Sequence, residues 1–144
     1  MNKEGKIIGL GGVFFKSKNP DLSKQWYSEK LGLNVDQYGA TFVQRKVSNP
    51  DQKSYTQWSP FVENTNYFKP STKDFMVNFR VQNIESLVEN LKSQGVTVID
   101  EISSYEYGKF VHILDVDGVA IELWEPIDEV FDDFHHDIEK LNYE

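Results

Sequence analysis

Cysteine is absent from this chain of 144 residues, which also has only five prolines and two methionines. The absence of cysteine excludes a disulfide framework, a thiolate metal site and a cysteine nucleophile. No apolar run approaches the roughly 20 residues that a membrane-spanning helix requires. Basic residues are few, 15 against 23 acidic residues, and the net charge of −8 argues against a nucleic-acid backbone as partner. We therefore expect a cytoplasmic protein without nucleic-acid or membrane partners.

Hydrophobic residues, in contrast, make up 39% of the chain and aromatic residues 14%, which is enough for the core of one domain. The C-terminal residues 125–144 hold eight acidic residues and one lysine. We interpret 127–144 as a solvated acidic helix, with an interaction tail as the alternative. Adjacent His135 and His136 would point to different helix faces and form a poor chelate. A stripe at helical spacing should cover its own domain or a partner chain: Ile127, Val130, Phe131, Phe134, Ile138 and Leu141.

An internal repeat organises the rest of the chain. GGVFFKSKNP (11–20) matches FMVNFRVQNI (75–84) at an offset of 64, and VSNPDQKSYTQWSP (47–60) matches ILDVDGVAIELWEP (113–126) at an offset of 66. In each copy a helical pattern follows the first match, with Asn19 and Asn83 as possible N-caps and Gly32 and Gly95 at the helix ends. The second match reads as a hairpin.

Further β-like runs, LNVDQY and VTVIDE, separate the helix from the hairpin in each copy. Each copy therefore reads strand, helix, strand, strand, strand, over about 7–60 and about 74–126. Units of this size bury too little surface to be stable alone. We predict that they pack as one domain over 1–126, joined by the loop 61–73.

These segments resemble the vicinal oxygen chelate (VOC) superfamily, also called the glyoxalase/bleomycin resistance/dioxygenase superfamily. The resemblance rests on GGVFFKSKNP with WYSEKLGL, on VNFRVQNIESLVENLKSQGV and on YGKFVHILDVDGVAIELWEP, and it covers residues 7–126. It implies an α+β fold in which two tandem βαβββ modules form a cupped mixed β-sheet around a ligand. It also implies a homodimer.

In the family's enzymes, as the resemblance implies, a divalent metal in the cup is held by the first and last strands of each module. Here those positions fall on Gly12, Thr56, Met76 and Glu122. Only Glu122 is a normal ligand for a divalent cation. We therefore expect no metal cofactor, with a divalent metal as the alternative.

Strand alternation indicates which side chains face the cup, because successive residues point to opposite faces. Counting from the DVDG turn places His112 opposite Glu122 and Phe110 opposite Trp124. The same count in the first copy places Lys46 opposite Thr56 and Gln44 opposite Trp58. Besides these hairpin residues, the predicted cup face contains Gly12, Phe14, Lys16, Met76, Asn78 and Arg80.

Two chemical features follow from this face. His112 and Glu122 form an acid/base pair suited to proton transfer, or alternatively a structural hydrogen-bonded pair. Lys16, Lys46 and Arg80 against Glu122 predict an anionic or oxygen-rich ligand, unless these cations extend into solvent. An aromatic or apolar part of the ligand would lie against Phe14, Trp58, Phe110 or Trp124.

The sequence therefore predicts a metal-independent protein that binds a small molecule in the cup. A glyoxalase-type lyase or isomerase, in which Glu122 and His112 transfer protons with or without a metal, is the alternative. A pure interaction protein using the acidic helix is a third possibility.

Overall fold

The computed structural model describes residues 4–134. The first module consists of β1 (Lys6–Ser17), α1 (Pro20–Leu31), β2 (Ala40–Arg45) and β3 (Lys53–Val62). Helix α1 begins where expected, because the Asn19 side chain accepts a hydrogen bond from the Leu22 amide at 3.1 Å and Pro20 occupies the first turn. It ends at Gly32, whose φ of 72° is accessible at low cost to glycine.

The second module consists of β4 (Phe75–Gln82), α2 (Ile84–Ser93), β5 (Ser103–Tyr105), β6 (Gly108–Leu114) and β7 (Ala120–Pro126). A third helix, α3 (Asp128–Phe134), follows. The expected cap at Asn83 is wrong: this residue has a φ of 49°, and its side chain makes no capping hydrogen bond. The amide of Ile84 instead donates to the Glu125 carboxylate at 3.0 Å.

All strands form one seven-stranded sheet in the order β2-β3-β1-β4-β7-β6-β5. The first strands of the two modules, β1 and β4, pair antiparallel at its centre, while β1–β3 and β4–β7 pair parallel. This confirms the predicted α+β fold with paired modules. The runs LNVDQY and VTVIDE, predicted as strands, contribute only isolated bridges, Asp36 with Gly39 and Val98 with Ile113.

The two faces of the sheet are covered differently. On one face, α2 packs Ile84 and Val88 onto the alternate residues of β4, β6 and β7, including Val81, Val111 and Leu123. On this same side of the first module, α1 has no buried residue. The opposite, concave face is the cup, and one end of it is filled by a cluster of buried apolar side chains: Phe14, Phe68, Met76 and Ala120.

Helix α3 returns from the end of β7 onto the cup. Phe131 stacks on Tyr55 of β3 at 5.5 Å between ring centroids and meets Trp124 of β7 at 5.2 Å. Phe131 therefore covers its own chain, whereas Ile127 is exposed. The Phe134 side chain and the remaining predicted tail positions, including Ile138, Leu141, His135 and His136, lie outside the described residues. Among the described residues, no helix is long and apolar enough to cross a bilayer.

Candidate functional site

The polar part of the cup is built on the central strands of the second module. In the parallel pair β4–β7, Asn78 lies beside Glu122 and Arg80 beside Trp124. All four residues are at most 5% exposed. Strand alternation sends these side chains to the concave face, because their neighbours Val77, Phe79, Ile121 and Leu123 pack toward α2.

The carboxylate of Glu122 receives three hydrogen bonds. The Asn78 Nδ2 donates to Oε1 at 2.6 Å, and His112 Nε2 lies 2.7 Å from Oε2. The Tyr67 hydroxyl also donates to Oε2. His112 lies directly opposite Glu122 in the antiparallel β6–β7 pair, as does Phe110 opposite Trp124, so the predicted register of this hairpin is confirmed.

The second nitrogen of His112 is held by a further carboxylate. Nδ1 lies 2.6 Å from Asp100 Oδ2, and the His112 amide donates to Asp100 Oδ1 at 2.8 Å. Burial lowers the pKa of the imidazole, but the hydrogen bonds and charges of Glu122 and Asp100 outweigh burial and hold the pKa above its ordinary value of 6.5. The arrangement therefore favours an imidazolium whose two N–H groups donate to carboxylates.

Tyr67 comes from the loop between the modules and was not predicted as a site residue. Its ring stacks on Phe61 at 5.6 Å and meets the His112 ring edge-on at 5.3 Å. Burial, the Glu122 charge and the hydrogen bond to Glu122 raise the pKa of the phenol far above its ordinary value. The Tyr67 phenol thus stays neutral, and its hydroxyl acts as a hydrogen-bond donor in the site.

A second polar cluster lies two residues further along β4, where Arg80 contacts Asp128 of α3. Arg80 Nη2 lies 2.5 Å and Lys46 Nζ 2.9 Å from Asp128 Oδ2. The Arg80 guanidinium also donates to the Tyr55 carbonyl at 3.3 Å and lies 5.3 Å from the centroid of the Trp124 ring. The Asp128 side chain is 8% exposed, and its other oxygen, Oδ1, has no hydrogen-bond partner among residues 4–134.

Aromatic rings surround this cluster. Trp124 stacks on Phe110 at 5.8 Å with nearly parallel rings. Phe131 covers Trp124 and also contacts Tyr107 at 6.4 Å. Trp124 is 2% exposed, so it forms part of the cup wall and not of its rim.

Other predicted positions lie elsewhere. Thr56 and Trp58 belong to the opposite face: Trp58 packs on Tyr27 of α1 at 4.6 Å and on Phe15 at 5.3 Å. The last-strand offset of the repeat was therefore wrong. In the β1–β3 pair, Phe14 lies beside Ser59, so Ser59 and not Thr56 corresponds to Glu122. An odd shift of this kind exchanges the two faces of a strand.

The first hairpin was also predicted in the wrong register. Phe42, not Lys46, is opposite Thr56, and Gln44 is opposite Ser54. The physical reason is a longer turn that is centred two residues earlier, near Asn49, because the Lys46 amide donates to the Gln52 carbonyl at 3.0 Å. Lys46 follows β2 and still reaches the cup through its long side chain.

Lys16 does not join the other two cations. Arg80 pairs with Gly9 and Lys16 with Phe61, so they lie at opposite ends of β1. Seven residues of strand correspond to roughly 20 Å. Phe14 does lie on the concave face, but it belongs to the apolar cluster at its end.

The residues at the family's metal positions do not form a divalent-cation site. Gly12 offers no donor atom, and the thioether of Met76 is fully buried in the apolar cluster with Phe68. Thr56 points to the other face, and Ser59, which takes its place in the observed register, offers a neutral hydroxyl that is a weak ligand. This leaves Glu122 as the one carboxylate at these positions, and its oxygens are already hydrogen-bonded to three neighbours. Within residues 4–134, no group of three histidine or acidic side chains is arranged to hold a metal ion.

The fold and the paired modules define a VOC-type protein, and comparison with known families agrees. Residues 13–123 match the family described as the Glyoxalase/Bleomycin resistance protein/Dioxygenase superfamily. The chain belongs to this superfamily.

Similar solved structures include methylmalonyl-CoA epimerase from Mycobacterium tuberculosis, 20% identical over 87% of this chain and 92% of that one, with a TM-score of 0.57. The Streptomyces coelicolor methylmalonyl-CoA epimerase with 2-nitronate-propionyl-CoA is 16% identical over 85% and 99%, with a TM-score of 0.60. A superfamily member from Vibrio splendidus 12B01 is 14% identical over 81% and 98%, with a TM-score of 0.51. No curated protein matches the chain. At these identities the similarity shows the fold alone.

Proposed function

We propose that the protein is a metal-independent member of the superfamily that binds a small anionic molecule in the cup. The observation that carries this proposal is that Arg80 and Lys46 converge on one point of the concave face. There the carboxylate oxygen Oδ2 of Asp128 lies 2.5 Å from the Arg80 nitrogen and 2.9 Å from the Lys46 nitrogen. A guanidinium and an ammonium at such distances form the strong, charge-assisted hydrogen bonds that select carboxylates and phosphates.

The surroundings strengthen this preference for anions. The protein carries a formal charge of −8, so a cationic position inside the cup opposes the sign of the whole chain. Such a position concentrates an oppositely charged ligand. The adjacent ring of Trp124, which stacks on Phe110, offers an apolar wall for the remainder of the molecule.

Thermal-shift and calorimetric titrations after chelator treatment test this proposal. Carboxylates and phosphates should stabilise the protein, by about 2.7 kcal/mol at a concentration of 100 Kd, and neutral analogues should not. Arg80→Gln and Lys46→Gln should weaken binding. Lys16→Gln is the matched control, because it removes a cation from the distant end of β1. Stabilisation by neutral aromatics but not by anions, or unchanged anion binding in Arg80→Gln, would contradict the proposal.

Proton transfer is the second candidate function, and the chain of hydrogen bonds from Asp100 through His112 and Glu122 to Tyr67 favours it. The Glu122 carboxylate can remove a proton from a carbon next to a carbonyl, and the His112 imidazolium can deliver a proton back to that carbon. Two structurally similar proteins are named epimerases, but the low identity does not extend their substrate to this chain.

Exchange of the α-proton of small carboxylates and thioesters in deuterated water, followed by NMR, tests this candidate. Glu122→Gln and His112→Ala should each slow exchange at least 100-fold, within the range of about 10²–10⁴ that general acid–base steps contribute. Glu85→Gln, at an exposed ion pair with Lys109, is the control. Exchange that is undetectable in the wild type, or that is as fast in both site variants as in the wild type, would eliminate proton transfer.

We also infer a homodimer, and a cytoplasmic location remains a prediction. Phe131 covers its own cup, so the acidic helix no longer motivates pairing. The first module instead offers the surface for a second chain, because α1 has no buried residue. Apolar side chains are exposed on α1, at Leu22 and Trp26, and on β1, at Leu10 and Val13. Light scattering over a concentration series should give the mass of two chains. A monomer throughout the micromolar range would refute the inference.

A further inference from the structure

The anion position in the cup is filled by the chain itself. Asp128 places its carboxylate on Arg80 and Lys46, and Phe131, three residues later, places its ring against Trp124. Residues three apart in a helix lie on the same face, with about 5–6 Å between their Cβ atoms. Helix α3 therefore presents a carboxylate and an aromatic ring to the cup, at a spacing that one small molecule can span.

We propose that α3 is an internal occupant of the ligand site and that the ligand is a carboxylate carrying an aromatic ring, which binds by displacing Asp128 and Phe131. This inference rests on the proposed function, because it requires that Arg80 and Lys46 receive the anion of the ligand.

Two features of α3 support displacement of Asp128 over a purely structural role. The Asp128 Oδ1 is buried without a hydrogen-bond partner among the described residues, so the cup holds this carboxylate incompletely. The Tyr55 hydroxyl also donates to Asp132 of the same helix, but Asp132 is exposed, so water can replace this hydrogen bond when the helix moves.

Phe131 supports the same assignment from the apolar side. Its ring stacks on Tyr55 and meets Trp124 and Tyr107 edge-on. The Arg80 guanidinium lies 5.3 Å and the Phe131 ring 5.2 Å from the Trp124 ring. The position of the anion at Arg80 and the position of the Phe131 ring thus both border on Trp124. The spacing selects a ring separated from its carboxylate by a short flexible linker, as in 3-phenylpropanoate and 4-phenylbutanoate.

Self-occupancy has a measurable consequence, because the apparent affinity of a ligand falls with the fraction of molecules whose site is open. Substitutions that loosen α3 without altering Arg80 or Lys46 should therefore tighten binding. Titration calorimetry with 3-phenylpropanoate and 4-phenylbutanoate should give at least tenfold lower dissociation constants for Asp128→Asn and for Phe131→Ala than for the wild type. Glu129→Gln, at an exposed acid of the same helix, should leave them unchanged.

Release of the helix can be observed separately. Since the chain has no cysteine, Glu129→Cys creates a single site for a nitroxide label on α3, and its spectrum should become that of a mobile label when 4-phenylbutanoate saturates the full-length protein. If either carboxylate binds while the label stays immobile and neither variant binds more tightly, the inference fails and the proposed function stands. If no form of the protein, Asp128→Asn and Phe131→Ala included, binds any carboxylate or phosphate, both fail.

Discussion

Replacing Glu122 by glutamine should lower the pKa of His112 more than replacing Asp100 by asparagine does. Both carboxylates hold this pKa above 6.5, and Glu122 contributes more because its side chain is 4% exposed whereas that of Asp100 is 44% exposed. Solvent screens the exposed carboxylate more strongly. The shape of the site should survive Glu122→Gln, because Asn78 Oδ1, which has no hydrogen-bond partner within residues 4–134, can turn to accept from the new amide.

The cost in stability follows from the same contacts. A hydrogen bond to a charged group contributes about 1.5–3 kcal/mol, so Glu122→Gln should lower the free energy of unfolding by about that amount at neutral pH. Asp100→Asn should cost at most about 1 kcal/mol, as for other exposed pairs. Because the pKa of His112 is higher in the folded than in the unfolded state, its protonation stabilises the fold. This stabilisation is complete below the unfolded pKa of 6.5 and is lost as the pH rises through the folded pKa. Wild-type stability should therefore fall with rising pH above 6.5, and Glu122→Gln should flatten this decline.

NMR titration of the histidine side chains provides the assay, with His112→Gln assigning the signal, and urea unfolding between pH 5 and pH 9 provides the stabilities. A larger decrease of the His112 pKa in Asp100→Asn than in Glu122→Gln would refute the reasoning. So would a His112 pKa below 6.5 in the wild type.

Three further predictions concern single side chains. Tyr67→Phe should cost about 1 kcal/mol in urea unfolding, below the usual range for a hydrogen bond to a carboxylate because Tyr67 is 47% exposed; no loss would show that the hydroxyl does not contribute. Trp124→Phe should weaken binding of 3-phenylpropanoate, whereas Trp58→Phe should lower the free energy of unfolding without affecting binding. A binding defect in Trp58→Phe would contradict the placement of Trp58 on the face opposite the cup. Arg80→Gln should destabilise by about 3 kcal/mol because it removes the buried partner of Asp128 and leaves the partly exposed Lys46 in contact with that carboxylate. Lys46→Gln should cost about 1 kcal/mol, and equal costs for the two variants would argue against a buried pair.

The second module could be predicted in detail because its signals are short-range and agree with one another. The DVDG turn fixes the β6–β7 register, since the Asp115 side chain accepts from the Asp117 and Val119 amides. Alternation of apolar residues then fixes the face of Glu122 and His112. In the first module the Asn49 side chain accepts from the Asp51 amide at 3.3 Å, and the turn is centred near Asn49 instead of at the place that the alignment with DVDG predicts. The match of the Trp–Pro pairs therefore placed Thr56 and Trp58 an odd number of residues out of register, on the wrong face.

Long-range contributions to the site could not be read from the sequence. Tyr67 lies in a loop without periodicity, and Asp100 lies near the end of the run VTVIDE (96–101), which makes a single bridge with β6 through Val98. Asp128 is one of many acidic residues near the C-terminus, and charge runs are usually solvated. Nothing in its local pattern distinguishes this buried carboxylate from its exposed neighbour Glu129; only the position of α3 over Arg80 and Lys46 does so.

The central claim is that the cup binds an anion at Arg80 and Lys46 without a metal, and titration calorimetry of chelator-treated protein with 4-phenylbutanoate tests it most directly. We expect saturable binding of one ligand per chain, unchanged by added Zn²⁺, Ni²⁺ or Mn²⁺, and at least tenfold weaker in Arg80→Gln but not in Lys16→Gln. Binding that appears only after one of these cations is added, or that persists undiminished in Arg80→Gln, would contradict the account.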